Sequence, residues 1–150
     1  SVGMPPLKAI EDDVRQSAAI VGSVGKAPKI GIIGSHLGIG HPLIRMVGGH
    51  LVNRTFAQWL STSAIWRIRL EQLSPAVERR MMAVIDEDRA ALLEDLRRQP
   101  PDVIVVEKFF AEVGYISASP ELVAFLDDYA EIGQTPLLRI LARRKAVAAL

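Results

Sequence analysis

Five places in the chain carry residue types capable of chemistry, and each also has a plain structural explanation. The first is a glycine-rich run, Gly31-Ile-Ile-Gly34-Ser-His-Leu-Gly38-Ile-Gly40-His-Pro42. It follows an apolar segment and leads into a helix, where backbone N–H groups and a helix N-terminus would face an anion. It lacks the Gly-Lys-Ser/Thr ending of a nucleotide P-loop, and Leu43 stands where a dinucleotide motif has its third glycine. The competing reading is a tight strand-to-helix connection in which glycine permits close packing.

The second place is the set His36, His41 and His50, with spacings of five and nine. Imidazoles serve as metal ligands or as acid/base groups near neutral pH. Neither spacing is the i, i+4 step that puts two imidazoles on one helix face, so no metal is expected. His36 and His41 are expected to share a loop that contacts ligand, against the alternative of capping and loop hydrogen bonding. The third is Glu107-Lys108, just past the apolar run Val103-Ile-Val-Val106. There Glu107 would accept a hydrogen bond from a sugar hydroxyl or act as a base; otherwise it is a solvated strand end. The fourth is Ser35. It is not framed as Gly-x-Ser-x-Gly, and every histidine precedes residue 51, so no acid-then-histidine order follows it. A hydrolase triad is therefore not expected. The fifth is Trp59, Trp66, Arg67 and Arg69. Such a set stacks on bases or sits at a membrane surface, but Glu71 and Glu78 are close in sequence and core tryptophans with a basic edge are the simpler expectation. Met81 and Met82 read as core filler.

The elements that must position these residues follow from periodicity. Leu7, Ile10, Val14, Ala18 and Val21 form one helix face, entered after Pro5-Pro6 and ended at Gly22 or Gly25. Residues 29–34 read as a buried strand and 35–40 as a loop, with a helix entered at His41-Pro42 and stopped by Gly48-Gly49. A short strand is expected at 50–53 and a helix within 55–73. Ser74-Pro75 starts a long helix on Val77, Met81, Val84, Ile85, Leu92 and Leu96. Pro100-Pro101 ends it. The strand at 103–106 is apolar on both faces, as in the middle of a covered parallel sheet. A loop at 109–118, a helix from Ser119-Pro120 on Leu122, Val123, Phe125 and Leu126, and strands at 129–132 and 137–142 joined by a hairpin complete the order. The fold expected is α/β: a three-layer Rossmann-like domain, mainly parallel, with a C-terminal antiparallel hairpin. Residues 1–150 form one such domain, with 1–6 as a tag remnant or linker and 145–150 as a frayed end. Ser35 and Glu107 should emerge at one rim.

Composition narrows the function classes. The 150 residues are 49% apolar and carry a net charge of +1, which suits a folded domain and gives no electrostatic case for a nucleic-acid partner. There is no cysteine, so disulfides and thiolate chemistry are excluded. The longest stretch without a formal charge, residues 30–44, is fifteen residues with four glycines, short of the roughly 20 that a membrane span needs. The first residues lack the basic and apolar regions of a signal peptide, and the abrupt start reads as a fragment of a longer protein.

Several features in order resemble a known family. They are the Ser35 turn leading to His-Pro-Leu-Ile at 41–44, Asn53-Arg54 followed by Trp59, and the run Leu96-Arg-Arg-Gln-Pro-Pro-Asp-Val-Ile-Val-Val-Glu107. Ser119-Pro-Glu-Leu-Val-Ala-Phe-Leu-Asp-Asp-Tyr-Ala-Glu-Ile-Gly133 and a last strand ending at Arg143 complete the set. Over residues 29–144, and best over 94–107 and 119–133, the chain resembles the C-terminal domain of bacterial polytopic membrane proteins of the C-type glycosyltransferase, mannosyltransferase-like superfamily. The family tends to have an aromatic before the first proline, where this chain has His41. The resemblance implies a non-catalytic, periplasmic domain tethered to the membrane-embedded part of its parent, whose catalytic acid lies elsewhere. It implies a role in shaping or covering the acceptor site. Any contact with a glycan acceptor or a polyprenyl-phosphate-linked sugar is expected to run through the loop at Ser35, His36 and His41, with Asn53, Arg54 and Glu107 nearby, and no cofactor is expected. The alternative is a free-standing binder of nucleotides or other small molecules that uses the turn at 31–41. A third reading is an interaction module that docks a partner chain.

Overall fold

β1 (Lys29–Ile33) and β3 (Val103–Glu107) are built almost wholly from apolar residues, and the pleat sends alternate side chains to opposite faces. In the computed structural model, which describes residues 6–145, the two strands lie side by side and parallel. Ile30 is opposite Val103 and Ile33 opposite Val106. Ile30, Ile32, Val103 and Val105 join one core cluster. It is completed by Ile10, Val14 and Val21 of α1 (Leu7–Gly22) and by Ile39 and Leu43 of α2 (Leu37–Val47). Ile33, Ile104 and Val106 join a second cluster. Its helical members include Ala64 and Ile65 of α3 (Trp59–Leu70), Ile85, Leu92 and Leu96 of α4 (Pro75–Arg98) and Phe110 of α5 (Lys108–Glu112).

The remaining elements are β2 (His50–Leu51), α6 (Pro120–Leu126), β4 (Tyr129–Gln134) and β5 (Leu138–Arg143). The sheet order is β2-β1-β3-β5-β4. The α/β class is as expected, but the mainly parallel sheet is not. Two strand pairs are parallel, β1 with β2 and β1 with β3; two are antiparallel, β3 with β5 and β5 with β4. Most of the paired length is antiparallel. The tight connection at Thr135 and Pro136 forces β4 and β5 into a hairpin, which is antiparallel by construction. β5 buries Leu138, Ile140 and Ala142 and so takes the interior place beside β3.

Local departures from the expected elements have identifiable causes. α2 begins at Leu37, not at His41, and Pro42 lies inside it. The glycines that read as loop are its first turn. α5 occupies part of the segment expected to be a loop. β2 stops at Leu51, two residues before its expected end. Leu7 starts α1 but stays exposed, while Asp13 and Ser17 join the buried face. Met82 is exposed rather than core. The two serine caps form as read: Ser74 Oγ accepts from the Val77 N–H at 3.3 Å and Ser119 Oγ from the Leu122 N–H at 3.1 Å. The expectations for residues 1–5 and 146–150 lie outside the described residues.

Two polar contacts tie the hairpin to the rest. The Asp13 carboxylate accepts from the Thr135 hydroxyl and, at 2.8 Å, from the Leu137 N–H, fixing the β4–β5 turn against α1. The Tyr129 hydroxyl donates to the Pro101 carbonyl at 2.6 Å, and burial pushes that phenol up to about 12.

Gly31 sets how closely α4 lies on the sheet. A Cβ there would stand 2.8 Å from Leu96 Cδ2 and 3.3 Å from Pro101 Cγ, both among buried residues. Gly31→Val should therefore lower unfolding free energy by about 1–3 kcal/mol through overpacking. Gly22→Ala, where nothing lies within 4 Å, should stay within about 0.5 kcal/mol of the parent. Urea unfolding of both variants checks the contrast.

Candidate functional site

Chain direction fixes where a site belongs. From β1 the chain runs through α2, on one face of the sheet, to β2 at one side of β1. From β2 it runs through α3 and α4, on the other face, to β3 at the opposite side of β1. The carboxyl ends of β1 and β3 are thus a switch point, the place where open α/β sheets hold ligands.

Ser35 and Glu107 meet there. Glu107, the last residue of β3, accepts from the Ser35 N–H at 2.6 Å, and the Ser35 hydroxyl lies 2.8 Å from both carboxylate oxygens. Both residues are half-buried. A Cβ at Gly34 would stand 3.3 Å from Glu107 Oε2, so glycine leaves room for the carboxylate to reach the turn. The serine hydroxyl is engaged by a carboxylate rather than by an imidazole. This pair can take hydrogen bonds from neutral hydroxyls at the carboxylate's remaining lone pairs.

Two more amides of the glycine-rich turn have partners within the chain. The Gly34 N–H donates to Gln58 Oε1 at 2.7 Å, and the Gly38 N–H donates to His36 Nδ1 at 2.9 Å, so His36 caps α2. A Cβ at Gly40 would stand 2.7 Å from the Phe56 carbonyl oxygen. These glycines permit close packing. The anion cradle considered from the sequence meets a carboxylate at Ser35 and filled amides at Gly34 and Gly38.

Asn53 and Arg54 have different tasks. Asn53 is buried, and its side-chain amide pairs with the backbone of Ile32 in both directions: Ile32 N–H to Oδ1 at 2.8 Å, and Nδ2 to the Ile32 carbonyl at 2.8 Å. It continues the edge of β1 where β2 ends, which explains why β2 is so short. Gln58 Nε2 adds a bond to the same carbonyl at 3.1 Å. Arg54 turns to α4, where its Nε and Nη2 reach the Asp95 carboxylate at 2.9–3.0 Å, with Glu94 3.5 Å away. His41 is exposed on α2 with its ring edge-on to Phe56, centroids 5.2 Å apart, and His50 opens β2. The three imidazoles serve three separate places. Of the six expected ligand residues, the structure thus brings Ser35 and Glu107 together at the rim, sets His36 beside them as a cap, leaves His41 exposed against Phe56, and commits Asn53 and Arg54 to the framework.

Gln58 and Asp95 were not singled out from the sequence. Nothing around Gln58 marks it. Asp95 did carry a signal: with Asp88, seven residues earlier, it borders the Ile85–Leu92–Leu96 stripe. Burial pushes the Asp95 carboxyl up, but bonds from the Arg54 side chain and N–H, with the Arg54 and Arg98 charges, outweigh it and hold its pKa below the ordinary value. Asp95 in turn raises the Arg54 guanidinium.

From Ser35 an open groove of about 400 Å³ runs along α3 past Thr62 and Ser63 and between Trp59 and Trp66. Among the described residues no helix is long and apolar enough to cross a membrane. The chain matches no family model, no curated protein and no solved structure.

Two outcomes test these roles. Asn53→Ala should cost about 1–3 kcal/mol, because it leaves the buried Ile32 N–H without its partner; urea unfolding reads this. For Asp95 the folded pKa lies below the unfolded one. Its contribution is therefore complete above the unfolded value of 3.8 and is lost as pH falls through the folded value. Asp95→Asn should destabilise at neutral pH by about 1–3 kcal/mol and fall less steeply than the parent between about pH 5 and about pH 2.

Proposed function

We propose that the chain is a non-catalytic, extracytoplasmic domain of a membrane-embedded glycosyltransferase-like protein, and that its Ser35–Glu107 rim reads the hydroxyls of a sugar. The observation that carries the ligand class is the carboxylate at the switch point. The Glu107 carboxylate, within hydrogen-bond distance of the Ser35 N–H, occupies the position where a phosphate would sit and takes up the amide a phosphate would need. The same carboxylate favours neutral polyols, which present paired hydroxyl donors. Thr62 and Ser63, on the groove that begins at Ser35, supply further hydroxyls.

The wider context rests on the resemblance at 94–107 and 119–133. In this reading the partner is the membrane-embedded part of the parent, the ligand is a glycan acceptor or the sugar end of a polyprenyl-phosphate carrier, and the location is the periplasmic face of the inner membrane. In the same reading the parallel strands β2, β1 and β3, with connections on opposite faces, are taken as the Rossmann-like part of the fold. The alternative, a nucleotide binder using the turn at 31–41, is weakened by the same carboxylate and by the filled amides at Gly34 and Gly38.

Amide NMR of the ¹⁵N-labelled chain distinguishes the two. D-mannose or a mannose disaccharide should shift the Gly34, Ser35 and Lys108 amides saturably. Glu107→Gln should weaken that binding about tenfold, which is ~1.4 kcal/mol. Magnesium–ADP and pyrophosphate should leave these amides unmoved. Saturable shifts with pyrophosphate or ADP and none with sugars would reverse the assignment.

A further inference from the structure

α3 is apolar on two opposite sides. Steps of four, three and four residues set Trp59, Ser63, Trp66 and Leu70 along one line of the helix. The opposite side, Ser61, Ala64 and Ile65, is the buried one. The outer line is exposed at Trp59 (49%) and Leu70 (65%) and half-buried at Trp66. Trp66 is held in place by stacking on Phe109, with ring centroids 5.3 Å apart and planes 17° from parallel. A surface helix ordinarily backs its apolar stripe with a polar face. Here the second face asks for another apolar medium.

The charges beside it select the medium. Arg67 and Arg69 are exposed in the last turn of α3. Arg67 Nη1 lies 3.6 Å from Met81 Sδ, which brings the first turns of α4, with exposed Arg79 and Arg80, to the same end of the pair. Glu71 is paired with Arg67 at 3.2 Å, Glu78 is the other carboxylate of the segment, and Glu107 stands at the Ser35 end of the groove, so four arginines stand against three carboxylates. Indoles favour the boundary between headgroups and acyl chains, and guanidinium groups take phosphate oxygens in pairs.

We infer that the outward face of α3 seats this domain on an anionic phospholipid bilayer. Trp59, Leu70 and the exposed edge of Trp66 enter the interface, and the arginines at 67, 69, 79 and 80 lie over headgroup phosphates. Ser35, which shares the groove of Trp59 and Trp66, then stands at the lipid–water boundary. This inference does not depend on sugar recognition. Lipid seating without any sugar response would leave it standing and remove only the reading of the rim.

Vesicle flotation and tryptophan emission of the full chain test it. With phosphatidylcholine–phosphatidylglycerol vesicles the chain should float and its emission shift to the blue, with quenching by brominated acyl chains. Binding to pure phosphatidylcholine should be about tenfold weaker, and added salt should weaken the anionic case. Trp59→Ser/Leu70→Ser, surface changes whose folding is checked by thermal melting, should lower partitioning about tenfold. Arg67→Gln/Arg69→Gln should weaken the preference for anionic lipid, and adding Arg79→Gln/Arg80→Gln should remove it. Absence of flotation with anionic vesicles overturns the inference. So does equal flotation of the parent and a folded Trp59→Ser/Leu70→Ser variant. Concentration-dependent self-association that those two substitutions abolish, without vesicle binding, would assign the face to a second copy instead.

Discussion

The Glu107 carboxylate closing on Ser35 is the contact on which the site depends. It is possible because β1 and β3 are adjacent, parallel and in a register that ends them together. Parallel pairing brings two carboxyl ends to one rim, and the chain reversal around β1 leaves a crevice there. Gly34 leaves space for the carboxylate to reach across. The result is a turn whose Gly34, Ser35 and Gly38 amides are already committed, with a carboxylate where a phosphate-binding loop has none.

Around that rim, side-chain amides do work that backbone usually does. β2 contributes two residues of pairing, and Asn53 and Gln58 continue it by bonding to Ile32 and Gly34. An edge made of side chains can end abruptly and let the chain leave toward α3, which is how the groove from Ser35 arises. Asp95 anchors the same departure from the other side by holding the Arg54 N–H and guanidinium. Asp13 performs the matching task for the β4–β5 turn. Buried carboxylates here organise loops by accepting several donors each, as low-dielectric surroundings require.

Much of this was legible from residue patterns. The apolar runs at 29–34 and 103–106 pointed to neighbouring strands of one covered sheet, and Ser74-Pro75 and Ser119-Pro120 marked two helix starts. What was hidden had physical reasons. Pro42 signals a first helical position, but Gly38 and Gly40 let α2 begin earlier, against Phe56. The place of β5 beside β3 depends on long-range burial that no local pattern shows. Asn53 and Arg54 looked like ligand contacts because polar pairs after a strand often are; their partners, Ile32 and Asp95, are 21 and 41 residues away. The helix expected within 55–73 forms as α3, but the side it buries, Ser61, Ala64 and Ile65, was hidden because the helix is apolar on both sides.

Residue-resolved hydrogen–deuterium exchange of the Ser35 and Gly34 amides tests the closed turn most directly. The expected result is exchange as slow as that of Ile32 inside β1, with Ser35 alone speeding up in Glu107→Ala. Free exchange at Ser35 and Gly34 while Ile32 stays protected would contradict the account, because the turn would then be open and its donors available to an anion.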